Sequence, residues 1–425
     1  MKLHKTILII ISVFIIIFVN ACGNNADIPE AEPSVQPSPE SYPHTEEIPS
    51  IPEPESIPDD NEVNETRTEE EVNNEPEIEE EPVDPVTELI ANMINAMTLY
   101  EKICQMLIVT LDSLTGVSGA TIAGERTKAA LETYPVGGII HFSPNIINSE
   151  QILLLNEGLQ ELSDIPLFIA VDEEGGSVAR LRQKLRAHSV RAMLSYEDGG
   201  TEKAFENAVI ISDALLEHGF NTNFAPVADV WSNPANTVIG NRAFSKEFDS
   251  AADLVAAAVT GFRESNIICS IKHFPGHGST RGDSHHTSAY INKTLNELRE
   301  NEFLPFISGI DAGTDMVMTG HLIVPEIDEL PATLSGILIT DILRGELGFN
   351  GVVITDSLAM RAITGHFDVK FVAVTAITAG VDILLMPSDI DETITALIEA
   401  VENDEISEQR INESVERILK LKIHG

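Results

Sequence analysis

The stretch IICSIKHF, residues 267–274, is an apolar run that ends in a lysine and a histidine. Near-continuous apolar residues without alternation are typical of a parallel strand that is buried on both faces. Seven other runs share this character: CQMLIVTL from 104, VGGIIHF from 136, LFIAVDEE from 167, TNFAPVADV from 222, MVMTGHLIV from 316, GVVITDSL from 351 and DILLMPSD from 382. The chain therefore contains eight predicted strands.

Helical stretches separate these runs, at 150–163, 201–219, 250–265, 294–312 and 335–347. Eight strand-then-helix units predict an α/β fold with a single (β/α)8 TIM barrel, in a chain somewhat longer than the roughly 250 residues usual for that fold. A doubly wound open sheet is the alternative, because periodicity does not show whether the sheet closes.

Polar side chains lie at the ends of five of the runs. They are Asp172, Glu173 and Glu174 in the third run, Asp229 in the fourth, Lys272 and His273 in the fifth, His321 in the sixth and Asp356 in the seventh. Active sites of barrels lie at the carboxyl ends of the strands. The sequence therefore predicts a functional site at this end of the barrel.

The loop after the fifth run, KHFPGHGSTRGDSHH at 272–286, is too rich in glycine to be a helix or a strand. Gly276, Gly278 and Gly282 permit turns that side chains would forbid. Asp283 lies two residues before His285, close enough to orient its imidazole through a hydrogen bond. We interpret 272–286 as a functional loop.

The N-terminus has the layout of an export signal: a basic start, an apolar core and a small residue before a cysteine, within residues 1–22. Val19-Asn20-Ala21-Cys22 resembles the lipobox of bacterial lipoproteins. This resemblance implies lipidation of Cys22 and a location outside the cytoplasm, anchored to the cell membrane by lipid. An uncleaved anchor and an ordinary secretory signal are the alternatives.

Residues 23–86 contain 21 acidic residues, one basic residue and twelve of the 22 prolines. Such a segment buries too little apolar surface to fold, so we predict a disordered linker. The remaining 87–425, the predicted catalytic domain, carries 47 acidic and 23 basic residues, which excludes a nucleic-acid partner. Cys104 and Cys269 lie in apolar runs and are predicted to be buried thiols.

Five blocks in this order resemble glycoside hydrolase family 3, in its β-N-acetylhexosaminidase branch: VDEEGGSVARL, APVADVWSNPANTVIGNRAFS, KHFPGHGSTRGDSHH, MTGHL and GVVITDSLAM. The resemblance covers essentially all of 87–425. It implies that Asp356 is the nucleophile and that His285, paired with Asp283, is the acid/base. It assigns sugar binding to Asp172, Arg180, Arg242, Lys272, His273 and His321, with no cofactor and no metal.

The chemistry of these side chains agrees with the resemblance. A retaining glycosidase needs one group that attacks the anomeric carbon and another that first donates and then accepts a proton. An imidazole does both near neutral pH. Lys272 follows an apolar run, so we expect it to be buried without a partner unless it faces a ligand. For Asp229 and Asn241, a role in the site and a role in stabilising loops are both left open. His277 and His286 are left outside the site.

Several functions remain open. We expect a monomer that removes terminal β-N-acetylglucosamine from peptidoglycan-derived or chitin-like fragments and touches the membrane only through its lipid. Phosphorolysis, another β-glycosidase specificity of family 3, and a non-catalytic sugar-binding lipoprotein are alternatives. A metal-dependent barrel hydrolase that uses the histidines of the loop is disfavoured, because the loop offers no rigid element to hold two ligands on one face.

Overall fold

Eight short parallel strands form the centre of the computed structural model, which describes residues 84–281 and 289–424. They are β1 Leu107–Thr110, β2 Gly138–Ile140, β3 Phe168–Val171, β4 Thr222–Asn223, β5 Ile268–Phe274, β6 Met316–Thr319, β7 Val352–Thr355 and β8 Leu384–Leu385. Nearly all of their side chains are buried, as the runs without alternation predict. Each predicted run contains one barrel strand, although the barrel strands are shorter than the runs.

The sheet closes on itself. Each strand from β1 to β6 pairs in parallel with the next one along the chain, and β1 pairs with β8. The seam between β7 and β8 is held by a bridge between Ile354 and Ile383 and by a 3.0 Å hydrogen bond from the Thr355 amide to the Ile383 carbonyl. The TIM-barrel prediction is confirmed, and the open-sheet alternative is wrong.

Helices surround the barrel. The described helices of at least six residues are Pro85–Ala96, Leu99–Gln105, Glu125–Thr133, Ser149–Glu161, Arg180–Leu185, Gly200–Glu217, Phe248–Glu264, Leu295–Glu300, Phe303–Asp311, the π-helix Ile337–Glu346, Val369–Ala379, Ile390–Glu402 and Glu408–His424, together with the 3-10 segment Met193–Gly199. The predicted helix 294–312 is two helices that break at Asn301. Within 84–281 and 289–424, no helix combines the length and the hydropathy needed to cross a membrane.

The first described helix, Pro85–Ala96, begins with Asp84 as its N-cap, whose carboxylate accepts a 3.3 Å hydrogen bond from the Thr87 amide. It buries Ile90 and Ile94 in the core, so the folded chain already includes residues two positions before 87. The predictions for Cys22, Asp283 and His285 lie outside the described residues.

Two small sheets lie beyond the carboxyl ends of the barrel strands. Glu173–Gly175 and Val178–Ala179 form a hairpin directly after β3. Ala289–Tyr290, Leu322–Val324 and Asp328–Pro331 form a three-stranded sheet beside the end of β6. These sheets give the loops around the barrel mouth a fixed backbone, which is what positions side chains there.

A buried carboxylate, that of Asp382, joins the last helix to the end of the barrel at which the strands begin. Asp382, which precedes β8 and is fully buried, accepts hydrogen bonds from Arg344 at 2.6 Å, Arg417 at 3.2 Å and Ser414 at 2.7 Å. It also accepts a 2.9 Å bond from the Val353 amide of β7. Asp382 thereby ties both strands of the seam to the C-terminal helix Glu408–His424.

Candidate active site

A cavity of about 540 Å³ opens at the carboxyl ends of the barrel strands. It contains the one predicted catalytic residue that the structure describes, Asp356, and five of the six predicted sugar-binding residues: Asp172, Arg180, Arg242, Lys272 and His273. A second cavity, of about 600 Å³, lies at the other end of the barrel near Asp315 and Gly351 and holds none of the predicted residues. The chemistry predicted from the strand ends therefore converges on the cavity at the carboxyl ends.

Five charged side chains form the polar wall of this cavity. The ammonium of Lys272 lies 2.8 Å from Asp172 Oδ1 and 2.7 Å from Glu174 Oε1. Arg242 binds Glu174 with two nitrogens, Nε at 2.9 Å and Nη2 at 2.8 Å. Arg180 completes the group at 3.7 Å from Asp172 Oδ2. Lys272 thus has carboxylate partners, contrary to our expectation that only a ligand would satisfy it.

The geometry of two strands explains this network. Asp172 and Glu174 are two residues apart in extended backbone, so their side chains share a face. The pairing register between β5 and β6 shifts between Lys272 and Phe274. This irregularity allows two consecutive residues, Lys272 and His273, to line the cavity together.

The network fixes the charge of its members. Burial would raise the pKa of Glu174, but the charges of Arg242 and Lys272 hold that pKa far below its usual range. Burial opposes the charge of Lys272, yet Asp172 and Glu174 raise its pKa above the ordinary value. Glu174 and Lys272 therefore stabilise each other in their charged forms.

Asp229, which ends the fourth run, holds the next part of the wall. Its Oδ2 lies 2.7 Å from His273 Nδ1, and its Oδ1 accepts hydrogen bonds from the amides of His273 at 3.2 Å and His277 at 2.6 Å. The carboxylate accepts only, so Nδ1 of His273 carries a proton. Nε2 of His273 is left as the ring nitrogen that a ligand in the cavity meets.

Asp356 follows β7 and lies at the edge of the cavity. Its amide donates to the Thr319 carbonyl at 2.9 Å, and its Oδ1 accepts a 2.7 Å bond from the Ser357 amide. Burial would raise the pKa of Asp356, but His273, His321, the Ser357 amide and Lys272 lower it below the usual value. Asp356 is therefore an ionised carboxylate held in one orientation, as a nucleophile requires.

His321 is the predicted sugar-binding residue that does not line the cavity. It is buried, with Nδ1 2.9 Å from Thr333 Oγ1 and Nε2 2.9 Å from the carbonyl of Ser357. A carbonyl only accepts, so Nε2 carries a proton. His321 lies outside the cavity lining and fixes the peptide that follows Asp356.

Another part of the cavity lining is apolar. Ile140, Phe142, Met318, Leu385 and Met386 line it, and the Arg180 guanidinium lies 5.6 Å from the centre of the Phe142 ring. Sites for small ligands combine an apolar lining with a few placed polar groups. A sugar ring, with hydroxyls at its rim and C–H groups on its faces, fits such a cavity.

Glu174 and Asp229 are the residues that sequence reasoning did not assign to the site. Glu174 had a signal: it lies two residues after Asp172 in an extended segment, so the two carboxylates had to share a face. The sequence signal for Asp229 was weaker: it lies at the end of the fourth run.

Asp283 and His285 lie outside the described residues. The segment before them is anchored by Asn236, whose amide nitrogen donates to the His277 carbonyl at 2.8 Å and to Thr280 Oγ1 at 3.2 Å. In the described part of the chain, no group of three or more His, Cys, Asp or Glu side chains has an arrangement suited to a metal ion.

Comparison with known proteins agrees with this geometry. Residues 98–421 match the model of the glycosyl hydrolase family 3 N-terminal domain. β-Hexosaminidase A of Pseudoalteromonas piscicida is 35% identical over 323 residues, 69% of this chain and 54% of the relative. A β-hexosaminidase of Xylella fastidiosa is 34% identical over 291 residues, 67% of this chain and 86% of the relative.

A solved structure is similar over the same part of the chain. The family 3 β-N-acetylglucosaminidase of Paenibacillus sp. FPU-7 has a TM-score of 0.73 and 37% identity. The match covers 77% of this chain and 62% of that one. The chain thus spans little more than half the length of the Pseudoalteromonas relative and less than two thirds of the Paenibacillus enzyme.

Proposed function

The chain belongs to glycoside hydrolase family 3, and from this premise we propose that it is a retaining exo-β-N-acetylglucosaminidase. Its substrates are peptidoglycan-derived or chitin-like fragments that end in β-linked N-acetylglucosamine. One observation carries the proposal: an ionised carboxylate, Asp356, faces a cavity lined by Asp172, Arg180, Arg242, Lys272 and His273. Lys272 and Glu174 are buried in the lining of this cavity, and the exo action is part of the proposal.

We infer the reaction from the position of Asp356 and from the family resemblance that assigns the acid/base role to His285. The Asp356 carboxylate attacks the anomeric carbon, and the bond to the leaving oxygen breaks as that oxygen takes a proton from His285. A glycosyl ester on Asp356 results. His285 then takes a proton from water, and the oxygen of that water attacks the anomeric carbon and releases Asp356. Two displacements on one carbon return the starting configuration.

The side chains of the polar wall hold the sugar during both steps. Asp172 and His273 Nε2 meet hydroxyl groups, and Lys272 and Arg242 donate to hydroxyl oxygens. Glu174 and Asp229 already hold these side chains in place. The side chains therefore lose little conformational freedom when the sugar binds. Such preorganisation favours the transition state in the same way as other fixed dipoles and charges do.

A comparison of aryl glycosides tests the proposal. The full chain is assayed with aryl β-N-acetylglucosaminide, β-glucoside and β-xyloside that share one leaving group. We expect kcat/KM for the β-N-acetylglucosaminide to exceed the other two by about tenfold or more, because a site that contacts a substituent discriminates against its absence. A preference for glucoside or xyloside, or first-formed sugar of inverted configuration by NMR, contradicts the proposal.

The acid/base role of His285 has its own signature. In His285→Ala we expect a large loss of kcat/KM on substrates with poor leaving groups and a small one on activated aryl glycosides, because kcat/KM reports the first displacement and only a poor leaving group needs the proton there. The measurement is a plot of log kcat/KM against leaving-group pKa for both proteins. Parallel lines for the two would show that His285 is not the acid. His286→Ala is the matched control, a neighbouring histidine without the proposed role.

A further inference from the structure

The loop that follows β4 contacts both the cavity and the functional loop 272–286. Its cavity-lining residues are Thr237, Val238 and Arg242. Two of its asparagines, Asn233 and Asn236, donate hydrogen bonds to the segment 277–280. This segment lies in the sequence between the polar-wall residues of β5 and His285. The loop after β4 therefore joins the proposed sugar-binding wall to the start of the segment that carries the proposed acid/base.

Asn236 makes this connection through the two ends of one amide. Its Oδ1 accepts hydrogen bonds from the amides of Val238 at 3.0 Å and Ile239 at 2.9 Å. Its Nδ2 donates to the His277 carbonyl at 2.8 Å and to Thr280 Oγ1 at 3.2 Å. Backbone amides only donate and a carbonyl only accepts, so the orientation of the Asn236 amide is settled by its partners. Asn236 is 2% exposed, and its bonds are shielded from water.

The oxygen end of the Asn236 amide orders part of the cavity lining. Val238 lines the cavity, and its carbonyl accepts a 3.2 Å hydrogen bond from Arg242 Nη1. Arg242 also binds Glu174 of the polar wall. The turn from Asn236 to Ile239 therefore helps to hold one of the proposed sugar-binding side chains in place.

The nitrogen end acts together with Asn233 on the functional loop. Asn233 Nδ2 donates to the Thr280 carbonyl at 2.9 Å, and the Asn233 amide donates to the Gly278 carbonyl at 3.3 Å. A Cβ atom built on Gly278 would lie 1.8 Å from the Val230 carbonyl oxygen, so the two backbones pack with no space for a side chain between them. The segment 277–280 is thus fastened to the loop after β4.

The fastened segment begins close to the cavity. The centres of the His273 and His277 rings are 6.0 Å apart, and His273 lines the same cavity as Asp356. His285 follows Thr280 by five positions. Five residues span at most about 18 Å when fully extended. The point at which Thr280 is held therefore limits where His285 can deliver a proton.

We propose that Asn236, assisted by Asn233, is a positioning residue that holds the start of the functional loop in register with the sugar-binding wall. The inference rests on the proposed function, because it concerns the delivery of a proton to the leaving oxygen. A general acid must come within about 2.6–3.2 Å of that oxygen, and a misplacement of about 1 Å lowers the rate by up to about a hundredfold. One buried amide that binds both the wall and the loop keeps the distance between sugar and acid constant.

The test uses Asn236→Asp in the full chain. The carboxylate keeps an oxygen that accepts from Val238 and Ile239, but it puts an acceptor in place of the donor to the His277 carbonyl. We expect kcat/KM to fall about tenfold or more on phenyl β-N-acetylglucosaminide and less than about threefold on the dinitrophenyl glycoside, because only the phenyl leaving group needs the proton. Affinity for N-acetylglucosamine, measured by calorimetry, should stay within about twofold of the wild-type value.

Three further variants sharpen the assignment. Asn236→Ala removes both ends of the amide, so affinity for N-acetylglucosamine should also fall, by about fivefold or more. Asn350→Asp is the matched control, since this exposed asparagine also donates to a carbonyl, that of Gly348 at 3.1 Å, and it should keep wild-type kcat/KM on both glycosides. If Asn236→Asp does not fold, Asn233→Ala, at a half-buried position, should show the same dependence on the leaving group with a smaller loss.

A double-mutant cycle with His285→Ala links the loss to the acid. On the phenyl glycoside, we expect the double variant Asn236→Asp, His285→Ala to be about as slow as His285→Ala alone, because the position of an absent group no longer matters. When His285→Ala loses more on the phenyl than on the dinitrophenyl glycoside, equal losses of Asn236→Asp on the two, or additive losses in the cycle, overturn the positioning role. When His285→Ala loses equally on both, the acid assigned in the proposed function is wrong, and the two losses of Asn236→Asp alone decide the positioning role.

Discussion

Asp356→Ala is expected to lose at least about a thousandfold of kcat on an aryl β-N-acetylglucosaminide, because no other group at that position can form the glycosyl ester. The protein should remain folded, since the side chain contributes one short hydrogen bond, from the Ser357 amide, at the edge of a cavity. The assay is release of the aryl alcohol, with thermal unfolding measured alongside.

Adding the small anion azide makes this experiment more specific for the nucleophile role. In Asp356→Ala, azide added with an activated substrate should enter the vacated space and attack the anomeric carbon once, which gives the α-linked glycosyl azide. Asp213→Ala, an exposed aspartate of the helix Gly200–Glu217, is the matched control and should behave as wild type. Near-normal turnover by Asp356→Ala, or a β-linked azide product, would remove Asp356 from the nucleophile role.

Glu174→Gln is expected to lower kcat/KM on the order of a hundredfold although Glu174 performs no chemistry. The change leaves Lys272 and Arg242 close together with one fewer negative charge, and a glutamine NH2 group faces a cation. Both cations then move from the positions in which they meet sugar hydroxyls. Because the bound sugar is held less well in both the ground and transition states, the loss appears mainly in KM and in product affinity. The value of kcat falls only as far as the transition state loses more than the ground state.

Three further measurements distinguish a positioning role from simple destabilisation. Binding of N-acetylglucosamine to Glu174→Gln, measured by calorimetry below the unfolding transition, should weaken by about the same factor as 1/KM. Glu174→Asp keeps the charge and should recover part of the loss. Glu206→Gln, which removes a surface partner of Lys203, should change nothing. Unaltered sugar affinity in a folded Glu174→Gln would contradict the positioning role.

The barrel itself was predictable from residue patterns. Runs such as GVVITDSL are apolar without alternation because their strands are buried on both faces. This pattern does not depend on the arrangement of the surrounding helices. The ends of the strands were less predictable. The run from 104 begins inside the helix Leu99–Gln105, since its first residues are as apolar as those of β1. Closure of the sheet depends on pairing between β1 and β8, which no local pattern encodes.

The sequence predicted where the site lies, but not which side chains pair with one another there. The strand-end rule placed Asp172, Lys272 and Asp356 at one end of the barrel, and the structure brings them into one cavity. The strand-end rule did not predict that Lys272 pairs with Glu174, because that contact joins residues 98 positions apart in the sequence. His321 shows the same limit: it ends β6, but its ring turns to Ser357 and away from the cavity. Side-chain direction at a strand end depends on the neighbouring strand.

The seam between β7 and β8 has a consequence for the order in which the protein is made. Asp356 lies beside this seam, and the groups that close it, Asp382, Ser414 and Arg417, come late in the sequence. A ribosome synthesises them last, after the rest of the cavity wall has emerged and can fold. We therefore expect a nascent chain to hold most of its proposed sugar-binding residues before it holds a supported Asp356, and hydrolysis to begin only when the C-terminal helix docks. Release of an aryl sugar then reports completion of the barrel.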